Sequence, residues 1–274
     1  MSIITLTTDY GHKDYFVGAI KGSIYSEFPE ATIVDISHDI FPFNLAEASY
    51  IIKAAYKNFP DGTVHIIGID IEKSKFNQHL VLFWQNQYFI SANNGILSLL
   101  VAETNHKNIY EINLENNSDQ SLTDILIFIK VACHLANNRN IEAIGTPFYD
   151  LKQITTLKAT ISEDEKTLLG MIVYIDNYGN TVTNISKEQF NYHAQQRSFV
   201  INFKNKVITT IFAKYSDFLI GKNENEALYH GTLMAVFNEA GFLEIAVYRS
   251  SPTAGSAKTM FGLTYGDTVA VKFI

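Results

Sequence analysis

Ile3-Ile4-Thr5-Leu6-Thr7 runs without a break into Thr8-Asp9-Tyr10-Gly11-His12-Lys13-Asp14, and Tyr15-Phe16-Val17-Gly18-Ala19-Ile20-Lys21-Gly22 leads away from it. The first five residues are mostly apolar and β-branched, the composition of a buried strand. The last run, continued to Ile24, carries Phe16, Ala19, Ile20 and Ile24 at helical spacing, which predicts a helix with one apolar stripe against a sheet. Strand, acidic turn, glycine and helix is how an open α/β sheet builds a ligand crevice outside the carboxyl ends of its strands. The turn holds two carboxylates, Asp9 and Asp14, and no glycine-rich phosphate cradle. The expected ligand therefore offers hydroxyl or amino donors rather than a diphosphate.

The same alternation continues outward. Strands are predicted over residues 32–36, 64–69, 80–84, 88–91 and 109–112, and a well-buried helix over 124–136. Asn44 is placed to cap a helix in which Leu45, Ala48, Ile52 and Tyr56 share a face. Asn93-Asn94-Gly95 opens a further helix. After about residue 150 helical periodicity becomes scarce. Strands are predicted over 171–175, 181–185, 198–203, 207–212, 234–238, 242–248 and 268–273. The fold class expected is α/β: an N-terminal α/β domain with a mostly parallel central sheet over residues 1–160, then an all-β barrel domain over 168–274. The acid-rich run 162–167 is the expected hinge.

Composition narrows the function classes. With 47% hydrophobic and 18% charged residues, the chain can bury a large core. The net charge of -7 and the lack of a Lys/Arg cluster argue against a nucleic-acid partner. No apolar stretch is long enough to span a bilayer, and no charged-then-apolar leader opens the chain, so neither a membrane partner nor a signal peptide is expected, and the cytoplasm is the expected location. The one cysteine, Cys133, sits in an apolar helical run and reads as an inert buried thiol. The histidines have no metal spacing, and no His-Glu-x-x-His, Gly-x-Ser-x-Gly or P-loop occurs, so neither metal nor acyl-transfer chemistry is expected. His134 reads as a core histidine; His12, in the acidic turn, is the one histidine considered for a site.

Asp9, Asp39, Asp70 and Asp176 all fall at strand ends, where Asp is also a common turn former. Asp9 and Asp70 follow strands expected to be central and would face one crevice. Asp14 reads either as a helix cap or as a ligand contact. Tyr178 and Asn180 could stack on a heterocycle and hydrogen-bond its edge, or simply form a hairpin turn.

Thr7 to Gly11, Tyr15 to Gly22 and Ile33 to His38 resemble the start of the S-adenosyl-L-methionine (SAM) hydroxide adenosyltransferases. These are also called SAM hydrolases and are related to fluorinase and chlorinase. Collinear matches continue through Gly62-Thr63-Val64-His65, Asn94-Gly95, His134-Leu135-Ala136, Asp176 with Gly179-Asn180, Thr183-Asn184-Ile185 and Gly241 to Ala246. The resemblance implies a homotrimer, with the ligand at subunit interfaces between the N-domain of one subunit and the C-domain of its neighbour. It implies Asp9 on the ribose hydroxyls, Asp14 beside it, and Phe43 lining the pocket. It further implies Tyr178 stacked on adenine, Asn180 on the adenine edge, Asp176 on the methionine ammonium and Asn238 near the methionine end. The implied reaction is displacement at the ribose 5′ carbon, with no cofactor and with SAM as substrate or ligand.

The chain departs from that pattern where the attacking water would be held. Asp70 matches the family Asp, but the Arg position falls on Asn77 and the His position on Thr123. Lys75 or His79 is an expected substitute if the intervening loop takes a different path. Asp124 stands where halogenases have a small residue, and a carboxylate there would repel halide. Glu239 and Ala240 replace polar residues usual near the methionine end. Two functions follow as expectations. One is hydrolysis of SAM to adenosine and L-methionine, with Asp70, Thr123 and Asp124 as the catalytic set. The alternative is a non-catalytic SAM- or adenosine-binding homologue.

Overall fold

The computed structural model describes residues 2–101, 108–114, 123–137, 140–155, 157–219, 221, 225–253 and 255–274. The chain divides into two compact units, Met1–Thr156 and Leu157–Ile274.

The first unit runs β1 (Ile3–Thr8), α1 (Phe16–Glu27), β2 (Thr32–Ser37), α2 (Leu45–Ala55), β3 (Val64–Gly68), β4 (His79–Trp84), β5 (Gln87–Ala92), α3 (Ile96–Leu100), β6 (Ile109–Ile112), α4 (Asp124–Ala136) and β7 (Gly145–Pro147). Its sheet has the order β2-β1-β3-β5-β4-β6-β7. The four strands from β2 to β5 are parallel, and the pairings of β4, β6 and β7 are antiparallel. Strand alternation sends neighbouring residues to opposite faces. Ile66, Val81 and Ile90 pack beneath α1 and α4, while Ile67, Leu80, Leu82 and Phe89 pack beneath α2 and α3. Both faces are covered, as an apolar parallel sheet requires. The Asn44 side chain caps α2 by accepting from Glu47 N at 3.1 Å, as its position in the sequence predicts. The buried face of α1 is Val17, Ile20 and Ile24, whereas Phe16 and Ala19 are exposed. The expected stripe is therefore rotated, with Val17 taking the place of Phe16.

The second unit runs β8 (Thr160–Ile161), β9 (Thr167–Ile175), β10 (Thr181–Ser186), α5 (Lys187–Ala194), β11 (Phe199–Phe203), β12 (Lys206–Ile208), β13 (Ile211–Phe212), β14 (Leu233–Phe237), β15 (Phe242–Val247), α6 (Ala257–Phe261) and β16 (Thr268–Phe273). The sheet order is β12-β11-β16-β9-β10-β15-β14-β13, with β8 on β9. The far strand β12 comes back against β14, which nearly closes the sheet into a barrel around Leu168, Ile185, Ile201, Leu243, Val269 and Val271. Three expectations are corrected here. The acid-rich run is a hairpin turn between β8 and β9 inside this unit, held by Ser162 Oγ donating to Asp164 and accepting from Thr167 N. The single strand expected over 207–212 is two short ones. A helix, α5, also intervenes, started by Ser186 accepting from Gln189 N at 3.1 Å.

Candidate active site

In the first unit, polar groups gather at the carboxyl edge of the parallel strands. Thr8 at the end of β1 pairs with Gly68 at the end of β3. Asp9 and Asp70 thus emerge one and two residues beyond neighbouring interior strands. Asp9 Oδ2 accepts the backbone N–H of Phe43 at 3.0 Å, and the Phe43 ring is 72% exposed. Beneath Asp9, Thr8 Oγ1 lies 2.7 Å from Nδ1 of buried His38, whose Nε2 is 3.1 Å from Asp35 Oδ1. The His38 carbonyl accepts Gly11 N at 2.7 Å, and Gly11 takes φ 67°, so β2 anchors the acidic turn. Burial first, then the charges of Asp9 and Asp124, push the Tyr10 phenol up to about 12.

Asp14 is an exposed carboxylate. Helix α1 starts at Phe16 with Tyr15 in the cap position, already near-helical and without a side-chain cap bond. The capping alternative for Asp14 falls away, since the helix starts one residue too late for it.

Asp70 has φ 46°, a left-handed backbone that non-glycine residues seldom adopt. The ties that hold it run to backbone carbonyls. Asn94 Nδ2 donates to Ile69 O at 2.8 Å and Asp70 O at 3.3 Å, and Asn77 Nδ2 donates to Asp70 O at 3.2 Å. The exposed carboxylate itself takes no hydrogen bond from a described residue. Asp124, the first residue of α4, accepts Lys73 N at 3.1 Å. Thr123 precedes it in the cap position, exposed and without a side-chain cap bond. Of the two expected substitutes near Asp70, Lys75 lies over the Phe76 ring, 4.7 Å from its centroid. His79 is buried, with Nε2 2.8 Å from Ile71 O and 3.6 Å from Asp124 Oδ1. His12 is exposed, 3.8 Å from Asp39 Oδ2. His134, half-buried, meets Asn140 O at 2.9 Å. Cys133 is buried, and burial pushes its thiol up to about 12, which makes it a poor nucleophile.

In the second unit a pocket of about 660 Å³ opens beside the β9–β10 turn. It is lined by Asp176, Tyr178, Asn180, Tyr215, Tyr248 and Arg249 among others. Asp176 builds the turn: Oδ1 accepts Tyr178 N and Asn180 N, both at 2.8 Å, and Oδ2 accepts Asn180 Nδ2 at 3.0 Å. The turn leaves Tyr178 63% exposed over the pocket and Asn180 buried at its floor. The Tyr215 hydroxyl donates to Glu244, which also accepts Asn238 Nδ2 at 3.2 Å. Burial raises the pKa of Glu244 and of Tyr215. Asn238 also accepts Phe242 N, so it closes the β14–β15 hairpin as well as serving Glu244.

Both halves of the chain match one family. Residues 4–145 match the SAM hydroxide adenosyltransferase N-terminal domain and residues 170–270 the C-terminal domain. The chain belongs to the SAM hydroxide adenosyltransferase family. It is similar to an (R)-S-adenosyl-L-methionine hydrolase of Methanocaldococcus jannaschii, 25% identical over 99% of this chain and 96% of that protein. It is also similar to a fluorinase of Actinopolyspora mzabensis, 24% identical over 68% of this chain and 72% of that one. An uncharacterized conserved protein of Thermotoga maritima has a similar solved structure, with TM-score 0.81 and 27% identity over 98% of this chain and 99% of that chain.

In this SAM hydroxide adenosyltransferase family member, the structure adds polar partners that the sequence reading did not single out. Glu244 was legible as an acid inside the apolar run Phe242-Leu243-Glu244-Ile245-Ala246, a buried-polar signal. Tyr215 had no such signal, because its role depends on a fold contact 29 residues away. Among the described residues no group of three or more His, Cys, Asp or Glu could hold a metal, and no helix is long and apolar enough to cross a membrane.

Proposed function

We propose that this chain hydrolyses SAM to adenosine and L-methionine by attack of water at the ribose 5′ carbon. The observation that carries the reading is Asp70. It is an exposed carboxylate without a hydrogen bond to a described residue, held in a left-handed backbone beside Asp9 at the carboxyl edge of the sheet. Strain kept at a strand end in this way is characteristic of functional positions. Methionine leaves as a neutral thioether from a sulfonium, so the leaving group needs no acid. Water attacks the 5′ carbon, the carbon–sulfur bond breaks, and Asp70 orients the water and takes its proton, with Thr123 and Asp124 alongside. Alignment and partial desolvation supply the rate. The assigned contacts are Asp9 on the ribose diol, Asp14 and Phe43 at the pocket edge, Tyr178 and Asn180 on adenine, and Asp176 and Asn238 toward the methionine end.

The carboxylate of Asp124 also favours a neutral nucleophile over halide, since a second negative charge at that edge repels an anion. The match to the M. jannaschii hydrolase, which spans more of the chain than the match to the fluorinase, points the same way. The proposal includes a homotrimer with its ligand sites at subunit interfaces, a cytoplasmic location and no cofactor. Light scattering tests the oligomer. Incubating purified protein with SAM and measuring adenosine tests the reaction; no adenosine above the spontaneous background at high enzyme would sink it.

A second reading, a non-catalytic binder of SAM or adenosine, is favoured by Asn77. Its amide nitrogen is spent on the Asp70 and Glu72 carbonyls rather than left free for water. Calorimetry with both ligands, together with the turnover assay, separates the two: binding without turnover supports the binder.

A further inference from the structure

The segment that leads from Asp70 into β4 folds back on itself, and one buried side chain closes it. His79 opens β4 and is 0% exposed. Its ring packs edge-on to Phe128, with centroids 4.7 Å apart. Nε2 faces two acceptors, Ile71 O at 2.8 Å and Asp124 Oδ1 at 3.6 Å. Nδ1 is buried and has no partner among the described residues. The tautomer follows: Nε2 carries the hydrogen, and Nδ1 keeps an unused lone pair.

A buried polar atom without a partner costs free energy. Leucine or methionine would fill the space against Phe128 without that cost. What the imidazole offers in exchange is one N–H, directed at the loop carbonyl and leaning toward Asp124. The other Asp124 oxygen takes Lys73 N at 3.1 Å, and Ser74 and Asn77 bond to each other through their backbones. The loop from residue 71 to 78 is thus pinned at its start by His79 and to α4 by Asp124.

We propose that His79 is a positioning residue: its Nε2–H, given to Ile71 and leaning on Asp124, fixes the loop and with it the directions of the Asp70 and Asp124 carboxylates. This rests on the hydrolase reading for its kinetic consequence but not for the clamp itself. His79→Gln keeps a donor at the place of Nε2, and His79→Asn moves its amide toward the place of Nδ1.

The test compares wild type, His79→Ala, His79→Gln and His79→Asn by adenosine formation from SAM and by amide hydrogen exchange over residues 71–78. The alanine variant should lose about tenfold or more in kcat with KM within about twofold, and glutamine should restore most of it. The Lys73 amide should exchange faster in the alanine and asparagine variants than in wild type and the glutamine variant. A folded alanine variant with wild-type kcat overturns the proposal, and so does glutamine behaving like asparagine. Should the alanine variant fail to fold, the glutamine–asparagine comparison decides. Should wild type form no adenosine, the hydrolase reading falls, and the exchange pattern alone judges the clamp.

Discussion

Asn77 gives its side-chain amide to the backbone carbonyl of Asp70 at 3.2 Å and to that of Glu72 at 2.9 Å. The position that resemblance assigns to a water-holding arginine is here a staple for the loop. The staple holds Asp70 at φ 46°. A non-glycine residue in this region carries a penalty of roughly 1 kcal/mol, smaller for Asp than for most others.

Asp70→Gly removes that penalty and the carboxylate together. Stability should stay level or rise by up to about 1 kcal/mol, because glycine's extra freedom in the unfolded chain offsets part of the gain. Adenosine formation should fall by about 100-fold or more. Urea unfolding read beside the turnover assay checks both. A glycine variant that keeps its rate would remove Asp70 from the chemistry.

The layout of the first unit was legible because its signals are local. Apolar runs gave the strands, and Asn44 gave a helix start that the structure reproduces through Glu47 N. Asp9 and Asp70 could be placed at one edge because both follow interior strands. The path of the loop after Asp70 was not legible. It depends on His79 reaching Ile71 O and on Asp124 reaching Lys73 N, and the latter pair is 51 residues apart in sequence. The short helix α5 was missed because Lys187-Glu188-Gln189-Phe190 carries little apolar periodicity, and its Ser186 cap was the only early mark. In the second unit, Asp176 was legible as a strand-end acid, but its use of both oxygens inside its own turn was not.

His65 makes stability depend on pH. It is 1% exposed, between Thr5 Oγ1 and Gln87 Oε1 at 2.7 Å each, and burial lowers its pKa from 6.5 to about 4. The sign follows from which state binds the proton first. Above pH 6.5 both states are neutral, and stability is full. As pH falls from 6.5 toward 4 the unfolded chain protonates alone, and stability drops by about 3 kcal/mol in total from this group. His65→Gln should be less stable near pH 7.5, with a gap to wild type that narrows on acidification. Urea midpoints at several pH values between 4 and 8 measure this; a constant gap would count against His65 as the source.

Tyr215, which lines the second-unit pocket, donates its hydroxyl to the buried Glu244 carboxylate. Tyr215→Phe leaves the carboxylate with Asn238 as its remaining described side-chain donor and should cost about 2 kcal/mol. Glu244→Gln keeps an acceptor for Tyr215 and sheds the buried charge. Burial raises the pKa of Glu244, so the wild type loses stability as pH rises through that value, and the glutamine variant's penalty should shrink with rising pH. Thermal unfolding of both variants from pH 5 to 9 separates them. Parallel pH curves for Glu244→Gln and wild type would contradict the assignment.

Gly179 links the pocket turn to the start of α6. It has φ 78°, and a Cβ there would lie 2.2 Å from Ser256 Oγ and 2.5 Å from Ser256 Cβ. Neither atom can easily yield. Ser256 is the cap of α6, bonded reciprocally with Thr259, and Lys258 N donates to Gly179 O at 2.9 Å. Gly179→Ala therefore combines left-handed strain with overpacking and should cost about 3 kcal/mol. The displaced turn would carry Tyr178 and Asn180 with it, since both backbone N–H groups bond to Asp176. Adenosine affinity by calorimetry should fall along with stability in this variant. Ser256→Ala loses the cap at about 1 kcal/mol, relieves no strain and leaves the turn in place, so its adenosine affinity should stay near wild type. Equal loss of affinity in both variants would mean that the cap of α6, not the conformation of Gly179, shapes the pocket.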